Sequence, residues 1–96
     1  MNDYFDEVIN ALTHEDFQVL GYLFDAKATA SFKAKTTSNI TENTSFSSAV
    51  LRRIITRLLA CRLIYISTML NGKRSYYLSK YGIEAINKSL KGDAEL

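Results

Sequence analysis

The chain has 96 residues, is 47% hydrophobic and 23% charged, and carries a formal charge of +2 at pH 7. This length holds one small domain with a real core and leaves no room for a second. Its single cysteine, Cys61, excludes an intrachain disulfide and any multi-cysteine metal site.

The apolar runs are broken by arginine well short of a membrane span. The opening "MNDYFDEV" carries acids where a secretory signal would carry bases, so a cytoplasmic protein is expected. Charge is segregated along the chain. Residues 1–26 hold six acids (Asp3, Asp6, Glu7, Glu15, Asp16, Asp25) and no Lys or Arg. Residues 43–83 hold seven bases (Arg52, Arg53, Arg57, Arg62, Lys73, Arg74, Lys80) and no acid. Such a split is expected of a chain that sets one side against a polyanion, the plain alternative being a solvated basic face.

In residues 3–12, "DYFDEVINAL", Phe5, Val8, Ile9 and Leu12 fall at i, i+3, i+4 and i+7, one stripe of a short helix. Thr13 followed by Asp16 resembles a capping box, and a second helix is predicted from about His14 to about Ala26, with Phe17, Leu20 and Phe24 inward. Residues 27–48 are rich in Ser and Thr. Their apolar anchors are Phe32, Ile40 and Phe46, and Thr36 or Thr37 is placed to cap a short helix through about Asn43. Ser47 is the next cap candidate.

The stretch "SSAVLRRIITRLLACRLI" (47–64) then combines a core-forming arc with four arginines and no acid. At about 100° per residue, Leu51, Ile54, Ile55, Leu58, Leu59 and Cys61 share one arc. Arg52, Arg53, Thr56, Arg57, Ala49 and Ala60 lie opposite, and Arg62 swings back toward the core, which places the helix end near it. "LIYISTML" reads as a strand, "NG" at 71–72 as a hairpin turn and "KRSYYLS" as the return strand, with Tyr76 and Leu78 alternating against Ser75 and Tyr77. Ser79 caps a last helix with Ile83, Ile86 and Leu90 on one face, and the tail 91–96 is expected to fray.

The order helix, helix, short helix, turn, basic helix, hairpin, helix resembles that of winged helix-turn-helix domains of the multiple-antibiotic-resistance regulator (MarR) superfamily and its small relatives. Phe46-Ser47, Leu51, "RIITRL" (53–58) and "LI" (63–64) are similar to the family's recognition segment, L-S-x-S-T-V-S-R-I-L-N-R-L-E-x-x-G-L-I. "NGKRSYYLSKYGIEAI" is similar to its wing and exit helix, G-R-x-x-Y-x-L-T-x-x-G-x-E. The resemblance spans roughly residues 12–90. It implies a mainly α fold with a small β-hairpin, and a double-stranded DNA partner. Arg62 stands where the family has Gly, so the turn into the wing is expected to be made differently. One helix follows the wing here, so an effector pocket is not expected.

A B-DNA major groove admits one helix, whose outer side must reach base edges and phosphates. Ser48, Ala49, Arg52, Arg53 and Thr56 are the residues expected to face it, with Ser47 and Ser48 offering backbone N–H groups to a phosphate. Arg57 lies further round, where a phosphate or an internal acid is its expected partner. Lys73 and Arg74 at the hairpin tip are expected on an adjacent minor groove or its backbone. The expected function is sequence-specific binding of double-stranded DNA by a dimeric transcriptional repressor. A plasmid or phage partition or replication adaptor, and a protein-binding winged helix, are the alternatives. The stripe Tyr4, Phe5, Val8, Ile9 and Leu12 in residues 1–12 is predicted to form a homodimer around the core 13–90, unless it docks on its own domain. One His, one Cys and no Gly-rich phosphate loop give catalysis no foothold, and no cofactor or metal is expected. His14 reads as a surface residue, Cys61 as a buried thiol, and Tyr76 and Tyr77 as sheet packing.

Overall fold

Hydroxyl side chains cap most of the described helices. The computed structural model describes residues 3–68 and 74–95, with side chains for 4–68 and 74–88. Its elements run α1 (Asp3–Ala11), α2 (His14–Asp25), a 3-10 turn (Ser31–Lys33), β1 (Lys35–Thr36), α3 (Thr37–Asn43), α4 (Ser48–Ala60), β2 (Ile64–Ser67), β3 (Ser75–Leu78) and α5 (Lys80–Glu95). At α2, Thr13 Oγ1 accepts from the Asp16 N–H at 3.2 Å while the Asp16 carboxylate accepts from the Thr13 N–H at 2.9 Å. Thr36 and Asn39 make the same reciprocal box at α3, and Ser47 Oγ accepts from the Val50 N–H at 3.3 Å to cap α4. Each box satisfies backbone donors that the first helical turn leaves without partners.

Two helices end on residues with left-handed backbone. Lys27 after α2 and Arg62 after α4 both have φ of 60°. At α4 the Leu63 N–H donates to Leu58 O and the Arg62 N–H to Leu59 O, both at 3.0 Å; Ala28 and Lys27 repeat the pattern on Leu23 and Phe24. These are Schellman ends, in which glycine normally takes the left-handed position. The expectation that Arg62 alters the turn is therefore corrected: Arg62 adopts the glycine conformation itself. It is also exposed rather than turned to the core, because the chain leaves right-handed helical geometry at Arg62.

The wing is a three-stranded antiparallel sheet in the order β1-β3-β2, with Ile64 opposite Leu78 and Ser67 opposite Ser75. The two-residue β1 pairs with Tyr76 and Ser75 and carries no alternation by which its sequence could announce it. Because β1 flanks β3, Ser75 is fully buried, whereas simple alternation places it opposite the inward Tyr76 and Leu78. Ser75 Oγ donates to Ser67 O at 3.0 Å, and Ser31 Oγ lies 2.7 Å from Ser67 Oγ, tying the 3-10 turn to the sheet. The turn expected at Asn71 and Gly72, with Lys73 at its tip, lies outside the described residues.

One core joins the elements: Val19, Leu20 and Leu23 from α2, Ile40 from α3, Leu51, Ile54, Ile55 and Leu58 from α4, then Leu63, Ile64, Tyr76, Leu78, Ala85 and Ile86. Burying each of the larger side chains contributes about 1.5–3 kcal/mol. The α1 stripe turns onto its own chain, with Phe5, Val8, Ile9 and Leu12 half-buried against this core. Phe5 packs on Tyr81 with centroids 6.0 Å apart, and Lys88 bonds Asp6 and lies over the Phe5 ring. Tyr4 stays 73% exposed. Helix α5 continues to Glu95, past the end expected near Leu90.

Candidate nucleic-acid interface

The outer side of α4 is the candidate surface. Leu51, Ile54, Ile55 and Leu58 anchor the helix in the core, which fixes its rotation and leaves Ser48, Ala49, Arg52, Arg53 and Thr56 exposed together. Ser47 is exposed at the cap, and Ala49 leaves room beside the first turn. No acid lies on this helix. Thr56 Oγ1 donates to the Arg52 carbonyl at 2.8 Å, so its hydroxyl is left as an acceptor toward any ligand.

Arg57 has a different setting. Its Nε lies 3.1 and 3.2 Å from the two Asp16 carboxylate oxygens, and Nη2 lies 2.5 Å from Oδ1. Asp16 is fully buried while the Arg57 side chain stays 45% exposed. The hydrogen bond to Asp16, outweighing the opposing effect of partial burial, raises the guanidinium pKa above its ordinary value, so its charge is permanent. Of the two partners expected for Arg57, the structure supplies the internal acid. Asp16 is the neighbour of this surface that the sequence does not announce. Its capping role was legible, but a contact spanning 41 residues was not.

Glu15, Val50, Arg53, Ile54 and Arg57 line a depression of about 150 Å³ between α2 and α4. A larger groove of about 450 Å³ runs between α2 and the α3–α4 turn, lined by Phe17, Gln18, Gly21, Tyr22, Asp25, Asn43, Thr44 and Ser45. Burial, then the nearby Glu42 charge, raises the Tyr22 phenol pKa. None of the residues expected to meet DNA lines that groove. Arg74 is exposed at the foot of β3, and Lys73 lies outside the described residues. Cys61 is half-buried and free, and exposed His14 lies 3.4 Å from Gln18. Tyr77 packs edge-on to Tyr65 at 5.8 Å, a sheet contact. Among the described residues no cluster of His, Cys, Asp or Glu has metal-binding geometry, and no helix is long and apolar enough to cross a membrane.

No protein-family model matches the chain. The DNA-binding protein TubR of Priestia megaterium is 38% identical over 91 residues, covering 94% of this chain and 88% of that protein. The solved structure of TubR from Bacillus megaterium pBM400 superposes with a TM-score of 0.84 at 35% identity, over 92% of this chain and 97% of its own. The S. aureus MepR–DNA complex shares the fold, with a TM-score of 0.75 at 19% identity over 98% of this chain and 70% of MepR. The described helices and small antiparallel sheet thus match the winged-helix fold of these solved structures, the fold that the resemblance to MarR-like proteins implied. On this sequence identity and fold, the chain belongs to the TubR family of winged-helix proteins.

Proposed function

We propose that this protein binds double-stranded DNA sequence-specifically as a homodimer and acts as a transcriptional repressor, without catalysis, in the cytoplasm. The observation that carries the reading is the acid-free outer side of α4, where Ser48, Ala49, Arg52, Arg53 and Thr56 are exposed on a helix locked by its opposite side. In the major groove, Arg52 and Arg53 donate bidentately to guanine O6 and N7 or clamp phosphates, and Ala49 meets a thymine methyl. Ser47 and Ser48 offer backbone N–H groups to a phosphate, and Lys73 and Arg74 reach the neighbouring minor groove or its backbone. The DNA-binding name of the TubR relative supports this reading.

Dimerisation is proposed through the residues of the 1–12 helix, Tyr4, Phe5, Val8, Ile9 and Leu12. Since the last four already touch their own core, the surface left for a partner is centred on Tyr4 and the half-exposed Tyr81. Kinship with TubR is equally consistent with a second job for the same DNA contact, an adaptor in plasmid or phage partition or replication. Footprinting on genomic DNA decides between them: one operator at a promoter supports repression, and an array of repeats supports partition. Titration of a labelled duplex against salt tests DNA binding itself. Affinity that ignores salt marks the chain as a protein-binding winged helix instead.

A further inference from the structure

We propose that Asp16 is a positioning residue for DNA binding, holding the Arg57 guanidinium at the flank of α4 with its outer edge presented to a backbone phosphate. This rests on the reading of α4 as the DNA-facing helix. The Asp16 carboxylate is fully buried and accepts from three directions: the Thr13 N–H at the α2 cap, Arg57 Nε and Arg57 Nη2. A buried carboxylate stripped of its cation is strongly disfavoured, so Arg57 cannot swing away from it. Nε and one N–H of Nη2 face inward, and trigonal geometry then turns Nη1 away from Asp16, on a side chain that stays 45% exposed.

A free arginine must give up much rotamer freedom to clamp a phosphate, whereas this one is already immobilised. Arg53 lines the same depression and supplies a second cation beside it, while Glu15 supplies an acid. Asp16 and Glu15 are adjacent in sequence and carry the same charge, yet their predicted effects are opposite. Glu15 faces outward and opposes a phosphate. Asp16 faces inward and aims the donor.

The test compares Glu15→Gln, Asp16→Asn, Arg57→Lys and the Asp16→Asn/Arg57→Lys double variant. The probe is a labelled mixed-sequence duplex of about three helical turns, because phosphate contacts are independent of sequence. Each acid-to-amide change removes one negative charge, so charge counting alone predicts tighter binding by both. Positioning predicts that Glu15→Gln tightens binding about twofold while Asp16→Asn and Arg57→Lys each weaken it about fivefold, and that Asp16→Asn lowers the log K against log salt slope by about one per chain. The double variant should bind like Arg57→Lys alone. Thermal melts confirm that each protein is folded at the assay temperature, and the amide oxygen left by Asp16→Asn is still an acceptor for the Thr13 cap.

Asp16→Asn binding as well as wild type, or losing affinity additively with Arg57→Lys, overturns the proposal. Where Asp16→Asn does not fold, Arg57→Lys decides alone, and wild-type affinity for it overturns the proposal. Arg52→Ala and Arg53→Ala serve as controls. Their failure to weaken binding removes the DNA-facing reading itself, a result separable from loss of the Asp16 role.

Discussion

Gly82 illustrates how a single atom can carry tertiary information. A Cβ built there lies 2.2 Å from Leu63 O, a backbone atom that cannot move aside cheaply. The close approach exists because Ser79 joins the start of α5 to the end of α4. Its N–H donates to Leu63 O at 3.0 Å, its Oγ donates to Arg62 O at 2.6 Å, and that same Oγ accepts from the Gly82 N–H at 3.1 Å. Gly82→Ala should therefore cost about 2–3 kcal/mol or more, read as a lowered denaturant midpoint. Lys27 and Arg62 make the converse case. Both hold φ of 60°, so Lys27→Gly and Arg62→Gly should each raise stability by about 1 kcal/mol at unchanged m-value. A midpoint that falls would show that the side-chain contacts of these residues outweigh their backbone strain. The glycine at position 82 was legible as a motif letter, but its reason was not, since the clashing carbonyl belongs to a turn nearly twenty residues away.

At the scale of elements, what repeats locally was readable and what depends on distant partners was not. Helices α2 to α5 announce themselves by a hydroxyl cap: Thr13, Thr36, Ser47 and Ser79 all sit where the pattern restarts. The two-residue β1 has no period to read, and it changes the environment of β3 enough to bury Ser75. The apolar stripe of α1 was visible, but a stripe does not say which surface covers it; Phe5 on Tyr81 shows that much of it serves its own chain. The contrast between α4 and α5 gives a direct prediction. Arg53→Ala should weaken DNA binding about tenfold with the fold intact. Lys88→Ala removes a cation whose exposed pairing with Asp6 contributes at most about 1 kcal/mol, and should leave DNA affinity within about twofold. Anisotropy titrations of the two variants at one salt concentration make the comparison, and equal losses would show that the face assignment is wrong.

Across the whole molecule, the segregation of acids before residue 26 and bases after residue 43 becomes a division of labour. Asp6 and Asp16 are used internally, the first on Lys88 and the second on Arg57, while Arg52 and Arg53 remain on the outside of α4. Oligomeric state then decides how strongly that surface responds to salt. A dimer that neutralises about eight phosphates should show log K falling against log salt with a slope near −7, and a lone chain about half of that. Tyr4→Glu separates the two. At 73% exposure the substitution costs the isolated fold little, but in a subunit contact it places a carboxylate against apolar surface. The expected result is a halved mass in sedimentation equilibrium together with a halved salt slope, because each chain then binds its half-site alone. Unchanged mass and slope would mean that α1 serves its own domain entirely, and that any pairing of recognition helices is built from another surface.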